Sequence, residues 1–523
     1  MQPLALSAEG QRLIHGLTTA HTDDRTPEHD KVHISGVGGQ LYFAYETLRN
    51  AAEYGERHLL VRRAIERFLY RNWQLHSQQQ TPDLSLELVS ELTHARYLKN
   101  DSIPRSSVRT IEDIIQRYSK LAEAIRQHHK VSGERLKVWV FQSASVEIEH
   151  QLVAHTQTDA FIEFVYYHYK QHIDPKIFDQ VNEHTTEVAL YCAVHRTLFK
   201  SDIATTRYYA LAARLHQDGT DTLSYFVNLN QAVDRLYQAP LTNRVGRLVN
   251  RSGGPMRILR EVVMSTGAPE QILRNHDELM SRVAHESEQQ YKLTRKRLNE
   301  GIVRSVIFLF ITKVLLGVAI EVPYDLLVVG AVSWTPLIMN TLFPPLYMAT
   351  IGWGIRTPGR RNTEIIQSQL GRILYHTDDP PIWYRVRKRV TSSGLNSSFN
   401  FVYAVAFLLS FGVLIYLLSR LGFNVVNGLI FFVFLSIVSF FGFRLLESAR
   451  ELEVVDQRKS LLSVALDFFY TPFIRVGHWL TDKYSRLNVV TFVMDLAIEL
   501  PLKTSLRVVR QWAGFIRDKQ EEL

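Results

Sequence analysis

The sequence predicts an all-α chain: a helical cytoplasmic domain followed by a transmembrane bundle of four helical spans. Three observations lead there. Through roughly the first 300 residues, apolar side chains recur at helical spacing, and no set of partner strands is evident. The last third holds four apolar stretches, each close to the ~20 residues needed to cross ~30 Å of hydrocarbon. Lys and Arg cluster beside those stretches.

Residues 1–36 are polar, with Asp23, Asp24, Arg25, Glu28, Asp30 and Lys31 close together, and are expected to form a flexible arm. Residues 37–267 are expected to be the helical cytoplasmic domain. Leu41, Leu48, Ala52, Leu59, Ala64, Phe68 and Trp73 recur at spacings near three, four or seven. Thr81-Pro82-Asp83 breaks that pattern and supplies a helix start. Helices are then expected over 84–98, 108–129, 136–155, 159–172, 176–198, 204–216 and 223–237. The run Lys137-Val138-Trp139-Val140-Phe141 has strand composition but lacks partner strands, so it is read as helical. Residues 268–301 are expected to be a helical stalk that runs into the first span, with Gly301 at the junction.

The transmembrane hairpins are placed at 302–351 and 399–443. The first contains spans 302–320 and 326–351; the second contains spans 399–418 and 425–443. Their connectors are short: Glu321-Val322-Pro323-Tyr324-Asp325 in one, and 419–424 with Arg420 alone charged in the other. The linker 352–398 is a basic cytoplasmic loop with Arg356, Arg360, Arg361, Arg372, Arg385, Arg387, Lys388 and Arg389. Basic flanks also precede the first span and follow the fourth. Because Lys and Arg stay in the cytoplasm, both termini and this loop are expected there. The first ten residues lack a charged start followed by an apolar core, so no cleavable signal peptide is expected.

Two features inside the spans stand out. Lys313 lies near the middle of the first span, where a lysine costs about 2.5–3.5 kcal/mol on insertion scales. No central carboxylate is present to pair with it, and Glu321, two turns on, is read as too far. Asn340, Ser410 and Asn427 are the candidate polar partners, with snorkelling to the interface the alternative, and Lys313, Asn340 and Asn427 form the candidate intramembrane site. Pro336, Pro344 and Pro345 are candidate helix breaks in the second span, since proline removes a backbone donor.

The tail, 444–523, is expected to form amphipathic helices on the membrane surface. Leu506, Val509, Trp512, Phe515 and Ile516 recur at helical spacing with Arg507, Arg510 and Arg517 among them. Packing against the soluble domain is the competing reading.

Chemistry is sparse. Gly36-Val37-Gly38-Gly39 lacks the Lys-Ser/Thr of a phosphate loop. His168 and His172 are four residues apart, a spacing that can hold a metal, but no His-Glu-x-x-His or Cys–His set accompanies them. No metal and no cofactor is therefore expected. The single cysteine, Cys192, excludes an intrachain disulfide and sits in an apolar run. The net charge of +8 is concentrated beside the spans, which favours a membrane over nucleic acid. Arg385, Arg387, Lys388 and Arg389, beside Trp383 and Tyr384, are the expected contacts to anionic lipid headgroups.

The strings Ala64-Ile65-Glu66-Arg67, Ala95-Arg96-Tyr97-Leu98-Lys99-Asn100-Asp101 and Ile498-Glu499-Leu500-Pro501-Leu502-Lys503-Thr504 resemble a group of multi-span membrane proteins of small-genome bacteria. No activity is assigned to that group. The resemblance implies a bacterial inner membrane and adds no site residues. Two functional classes follow: a membrane-anchored scaffold or assembly factor that binds a protein partner or itself, and an oligomeric transporter or channel using Lys313 and the second span. An enzyme acting on lipid is a distant third.

Overall fold

The computed structural model describes residues 5–21, 30–34, 39–52, 59–75, 84–153, 156–178, 181–213, 215, 221–354, 358–376, 380, 382–385, 393–454 and 471–481. Those residues are mostly helical, without strands; three isolated bridges tie loops together. The helices up to the bundle are α1 (Ala8–His21), α2 (Gly39–Ala52), α3 (Leu60–Leu75), α4 (Leu84–His94), α5 (Arg105–His128), α6 (Gly133–Leu152), α7 (Thr156–His172), α8 (Glu183–Leu198), α9 (Ile203–Ala212), α10 (Thr222–Leu236), α11 (Pro240–Ser252), α12 (Gly254–Met264), α13 (Pro269–Arg274) and α14 (His276–Leu316). Then follow α15 (Val322–Tyr324), α16 (Trp334–Gly354), α17 (Arg360–Leu374), α18 (Ser393–Arg420) and α19 (Val425–Arg450), with wide π-turns at Gly317–Glu321 and Asp325–Val329 on either side of α15.

Local chemistry starts several of these helices. Asn182, Asp202 and Asn275 accept the N–H of the third residue on, capping α8, α9 and α14. Pro240, Pro255 and Pro269 occupy first-turn positions, where no backbone donor is needed.

Two apolar cores are built from these helices. The smaller joins α3, α4, α5 and α6 around Phe68, Leu88, Ile111 and Trp139, with Phe226 and Val227 of α10. The larger gathers α1, α7, α8, α11, α12, the start of α14 and α17. It corrects two expectations. The N-terminal arm is in part a core helix, because Leu13, Ile14 and Leu17 put three apolar side chains on one buried face of α1. The basic loop 352–398 contains α17, whose Ile366, Leu370, Ile373 and Leu374 follow the same rule. The stalk is helical from His276 on, and its first half packs into the same core, with Leu279 and Val283 fully buried there.

This larger core is therefore discontinuous in sequence. Its N-terminus clamps the end of α17, with Ser7 N–H donating to Leu374 O at 2.9 Å, Ser7 Oγ to Ile373 O at 2.7 Å and His376 N–H to Ala5 O at 2.8 Å. Gly10 permits this approach, since a Cβ there would fall 2.4 Å from Leu374 O.

Among the described residues, two helices are long and apolar enough to cross a membrane, His276–Val329 and Val425–Glu447, against the four spans expected. α18 qualifies only over the shorter stretch Phe407–Arg420. α16 carries no charge, but its prolines, threonines, tryptophans and Asn340 dilute its apolar character. Nor do the prolines break it. Pro336 lies in the first turn, and the helix continues through Pro344 and Pro345. The break falls earlier, at Gly330, which takes φ +83°.

Of the tail expected on the membrane surface, only 444–454 and 471–481 are described. The helix 471–481 packs on the bundle. Phe473 is buried against Phe411 of α18, and the His478 ring lies 5.4 Å from that of Phe440. Gly477 makes the close contact possible, because a Cβ there would sit 2.1 Å from Ser436 O of α19. The amphipathic pattern at 505–517 lies outside the described residues.

Candidate functional site

The candidate intramembrane residues do come together, with one addition. Lys313 on α14, Asn340 on α16 and Asn427 on α19 are all buried. Lys313 Nζ donates to Glu321 Oε1 at 3.0 Å, and Asn340 Nδ2 donates to Glu321 Oε2 at 3.0 Å and to Asn427 O at 3.1 Å. The ammonium also lies 4.7 Å from the centre of the Phe434 ring. Glu321 is thus the partner that the sequence reading placed out of reach.

The helix geometry accounts for the error. Eight residues of regular α-helix rise about 12 Å. Here the second half of that interval is a π-turn, in which Val322 N–H bonds Gly317 O five residues back. The wider turn shortens that rise, and the long lysine side chain spans the rest of the way to the Glu321 carboxylate.

Two side-chain oxygens in this network have no protein partner among the described residues, Asn340 Oδ1 and Asn427 Oδ1. A second knot stitches the two hairpin turns. Asp325 accepts from Asn424 Nδ2 at 2.8 Å and from Ser333 N–H at 2.8 Å, while Asn424 Oδ1 accepts from Asn427 N–H at 2.8 Å. The arrangement neutralises the lysine and cross-links α14, α16 and α19.

The two cores of the helical domain hold their own buried charges. Arg207 on α9 donates to Asp234 and to Gln142, and Trp139 Nε1 donates to Asp234 Oδ2 at 2.9 Å. Arg62 on α3 bridges Glu66 and Asp202. Glu149, beside Arg62, has its carboxyl pushed up to about 7, chiefly by burial and against the pull of Arg62.

His168 and His172 are joined by Glu9 of α1, a residue that the sequence reading assigned to the arm. Glu9 Oε2 lies 2.7 Å from His168 Nδ1 and Oε1 lies 3.4 Å from His172 Nδ1. On the far side of the ring, His168 Nε2 is 2.9 Å from Tyr384 Oη. Tyr384, expected at a lipid surface, is instead buried in the larger core. Its neighbour Arg385 is exposed and lies 4.0 Å from Asp174. Arg387, Lys388 and Arg389 lie outside the described residues.

No spacing rule links Glu9 to α7 or Tyr384 to His168, 159 and 216 residues apart. Glu321 was visible in the sequence and needed only the π-turn to be recognised. Set against family models, curated proteins and solved structures, the chain matches none.

Proposed function

We propose that the chain is a membrane-anchored scaffold, in which a large cytoplasmic helical domain recruits a protein partner and is held rigidly to a four-span bundle. The observation that carries this reading is α14. Its 41 residues bury Leu279 and Val283 in the soluble core and Leu309 and Lys313 in the bundle. At 1.5 Å per residue that is about 60 Å of unbroken helix, long enough to serve both regions.

The rest of the bundle is tethered to the same core. α17 returns to it after α16, Tyr384 is anchored in it before α18, and Leu452 and Val454 pack on it after α19. Asn362 on α17 donates to Leu452 O at 2.8 Å and accepts from Val454 N–H at 2.8 Å. Four ends on one face favour two hairpins that enter and leave on one side, and the basic flanks favour the cytoplasmic side. Exposed apolar side chains such as Phe308, Leu315, Leu327, Leu408 and Leu429 favour lipid as their solvent. The resemblance to multi-span proteins of small-genome bacteria favours an inner membrane. Arg385, exposed beside Asp174, is then the described residue offered to anionic headgroups.

A second reading, an oligomeric transporter or channel, rests on the buried Lys313. Its pairing with Glu321 weighs against a free charge on an ion path and for a fixed cross-link between helices. The test is purification in lipid nanodiscs, mass measurement and liposome flux. A stoichiometric second protein and no flux is the expected result. A homo-oligomer whose ion flux is abolished by Lys313→Leu would replace the scaffold with the transporter.

A further inference from the structure

The soluble domain carries a constellation that neither the bundle nor the scaffold reading uses. Glu9 sits in the first turn of α1, and His168 and His172 lie one turn apart on α7. One carboxylate oxygen and one nitrogen from each ring lie within 4.8 Å of one another. We propose that Glu9, His168 and His172 form a binding site for a divalent transition metal of the zinc class.

Four features carry the proposal. Two imidazoles and one carboxylate are a zinc donor set that leaves a fourth position open to water. Ligands held at about 2.0–2.1 Å in a tetrahedron are about 3.3 Å apart. The Glu9 separations, 2.7 Å from Oε2 to His168 Nδ1 and 3.4 Å from Oε1 to His172 Nδ1, are of that order. His168 has an outer partner as well, since Tyr384 Oη can accept its Nε2–H and so leave Nδ1 to face the metal. Access is graded: the His168 side chain is 1% exposed, while those of Glu9 and His172 are 14% and 19% exposed. An ion can enter from the His172 side and be held by a buried anchor.

The competing arrangement is a metal-free clasp in which Glu9 accepts from both rings. His172 Nδ1 also lies 3.0 Å from His168 O, a bond that coordination through that nitrogen would replace. In either state three remote segments meet here: α1, α7 and the strap that leads into α18. A bound ion would therefore fasten the N-terminal helix to the segment feeding the second hairpin.

The test uses the full chain in nanodiscs, stripped with chelator and titrated with Zn²⁺ by calorimetry and with Co²⁺ by visible absorption. The expected result is a tight Zn²⁺ site of one ion per chain and the intense bands of four-coordinate cobalt. Glu9→Gln and His172→Ala should each weaken that site at least tenfold, and Tyr384→Phe by about tenfold. Glu9→Gln keeps the shape and a hydrogen-bonding carbonyl, so its loss of binding is separable from misfolding by circular dichroism of the metal-free protein. The absence of a stoichiometric site would overturn the assignment in favour of the clasp. So would a site whose affinity Glu9→Gln and His172→Ala leave unchanged, because other histidines would then hold the metal.

Discussion

The helical domain and the apolar bundle differ in what they leave exposed and in how large a share of their buried side chains is polar. In the larger soluble core, Leu13, Val165, Val188, Leu259 and Leu370 are sealed from solvent, and the outer faces of its helices are charged. In the bundle, Lys313, Glu321, Asp325, Asn340, Asn427, Ser436 and Ser439 are buried, whereas Phe308, Leu327, Trp353, Leu408 and Val425 are exposed. Its tightly packed apolar groups are few: Leu309, Met348, Phe434 and Val438 in one cluster and Leu418, Phe431, Leu435 and Phe473 in another. Water drives apolar groups inward. Hydrocarbon does not, and there polar contacts and close backbone approach hold helices together. The contrast teaches that the two regions fold against different solvents on the proposed reading, while α14 belongs to both.

The comparison can be broken most sharply at the ion pair. Glu321→Ala would leave Lys313 buried without a counter-charge and should destabilise the bundle by about 3–5 kcal/mol. Adding Lys313→Leu should recover most of that loss, as replacement of a whole buried pair by apolar groups often does. Equal damage from the single and double variants, measured by denaturation in lipid micelles, would show that the pair does not act as a unit.

In the soluble core the expected currency is packing instead. Leu17→Ala on α1 and Leu370→Ala on α17 should each cost about 2–5 kcal/mol through the cavity left behind. A cost near zero for Leu17→Ala, read from thermal unfolding, would return α1 to the role of a loose arm.

A smaller and pH-dependent effect belongs to Glu149. Its folded pKa of about 7 lies above the ordinary 4.5, so the folded chain holds a proton that the unfolded chain releases in that window. Stability from this group is present below about 4.5 and is lost as pH rises toward 7. Glu149→Gln should therefore stabilise the domain above that window, by roughly 1–3 kcal/mol, and flatten the pH profile within it. An unchanged profile would mean that Arg62 keeps the carboxylate ionised throughout.

The smallest effect is expected on the outer face of the bundle. Leu327, 86% exposed, should tolerate alanine within about 0.5 kcal/mol in a bilayer. A larger cost would indicate that another helix, not lipid, covers it.

Much of the fold was legible because it follows local periodicity. The helices through the soluble domain, the start of α14 and the apolar α19 all declare themselves by apolar spacing or hydropathy. What escaped was long-range. α1 was hidden by its polar surroundings, although Leu13, Ile14 and Leu17 already mark one face. α17 was hidden by the arginines around it, since a basic stretch reads as a loop until Ile366, Leu370, Ile373 and Leu374 are aligned. Lys313, Asn340 and Asn427 were found because polar residues in apolar runs are rare. Glu321 was dismissed because regular helix geometry was assumed across a π-turn. The Glu9–His168–Tyr384 contacts depend on tertiary packing alone.

The central claim is that both hairpins leave one soluble face and cross a membrane to the other side. Cysteine labelling tests it directly, because Cys192 is the only native cysteine and is buried. Single cysteines at Ala331→Cys and Leu421→Cys mark the two hairpin turns, and Arg360→Cys marks the start of α17. With a membrane-impermeant maleimide on intact cells, the two turn positions should label, and Arg360→Cys should label only after permeabilisation. Labelling of Arg360→Cys together with the turns, or of the turns only after permeabilisation, would contradict the account.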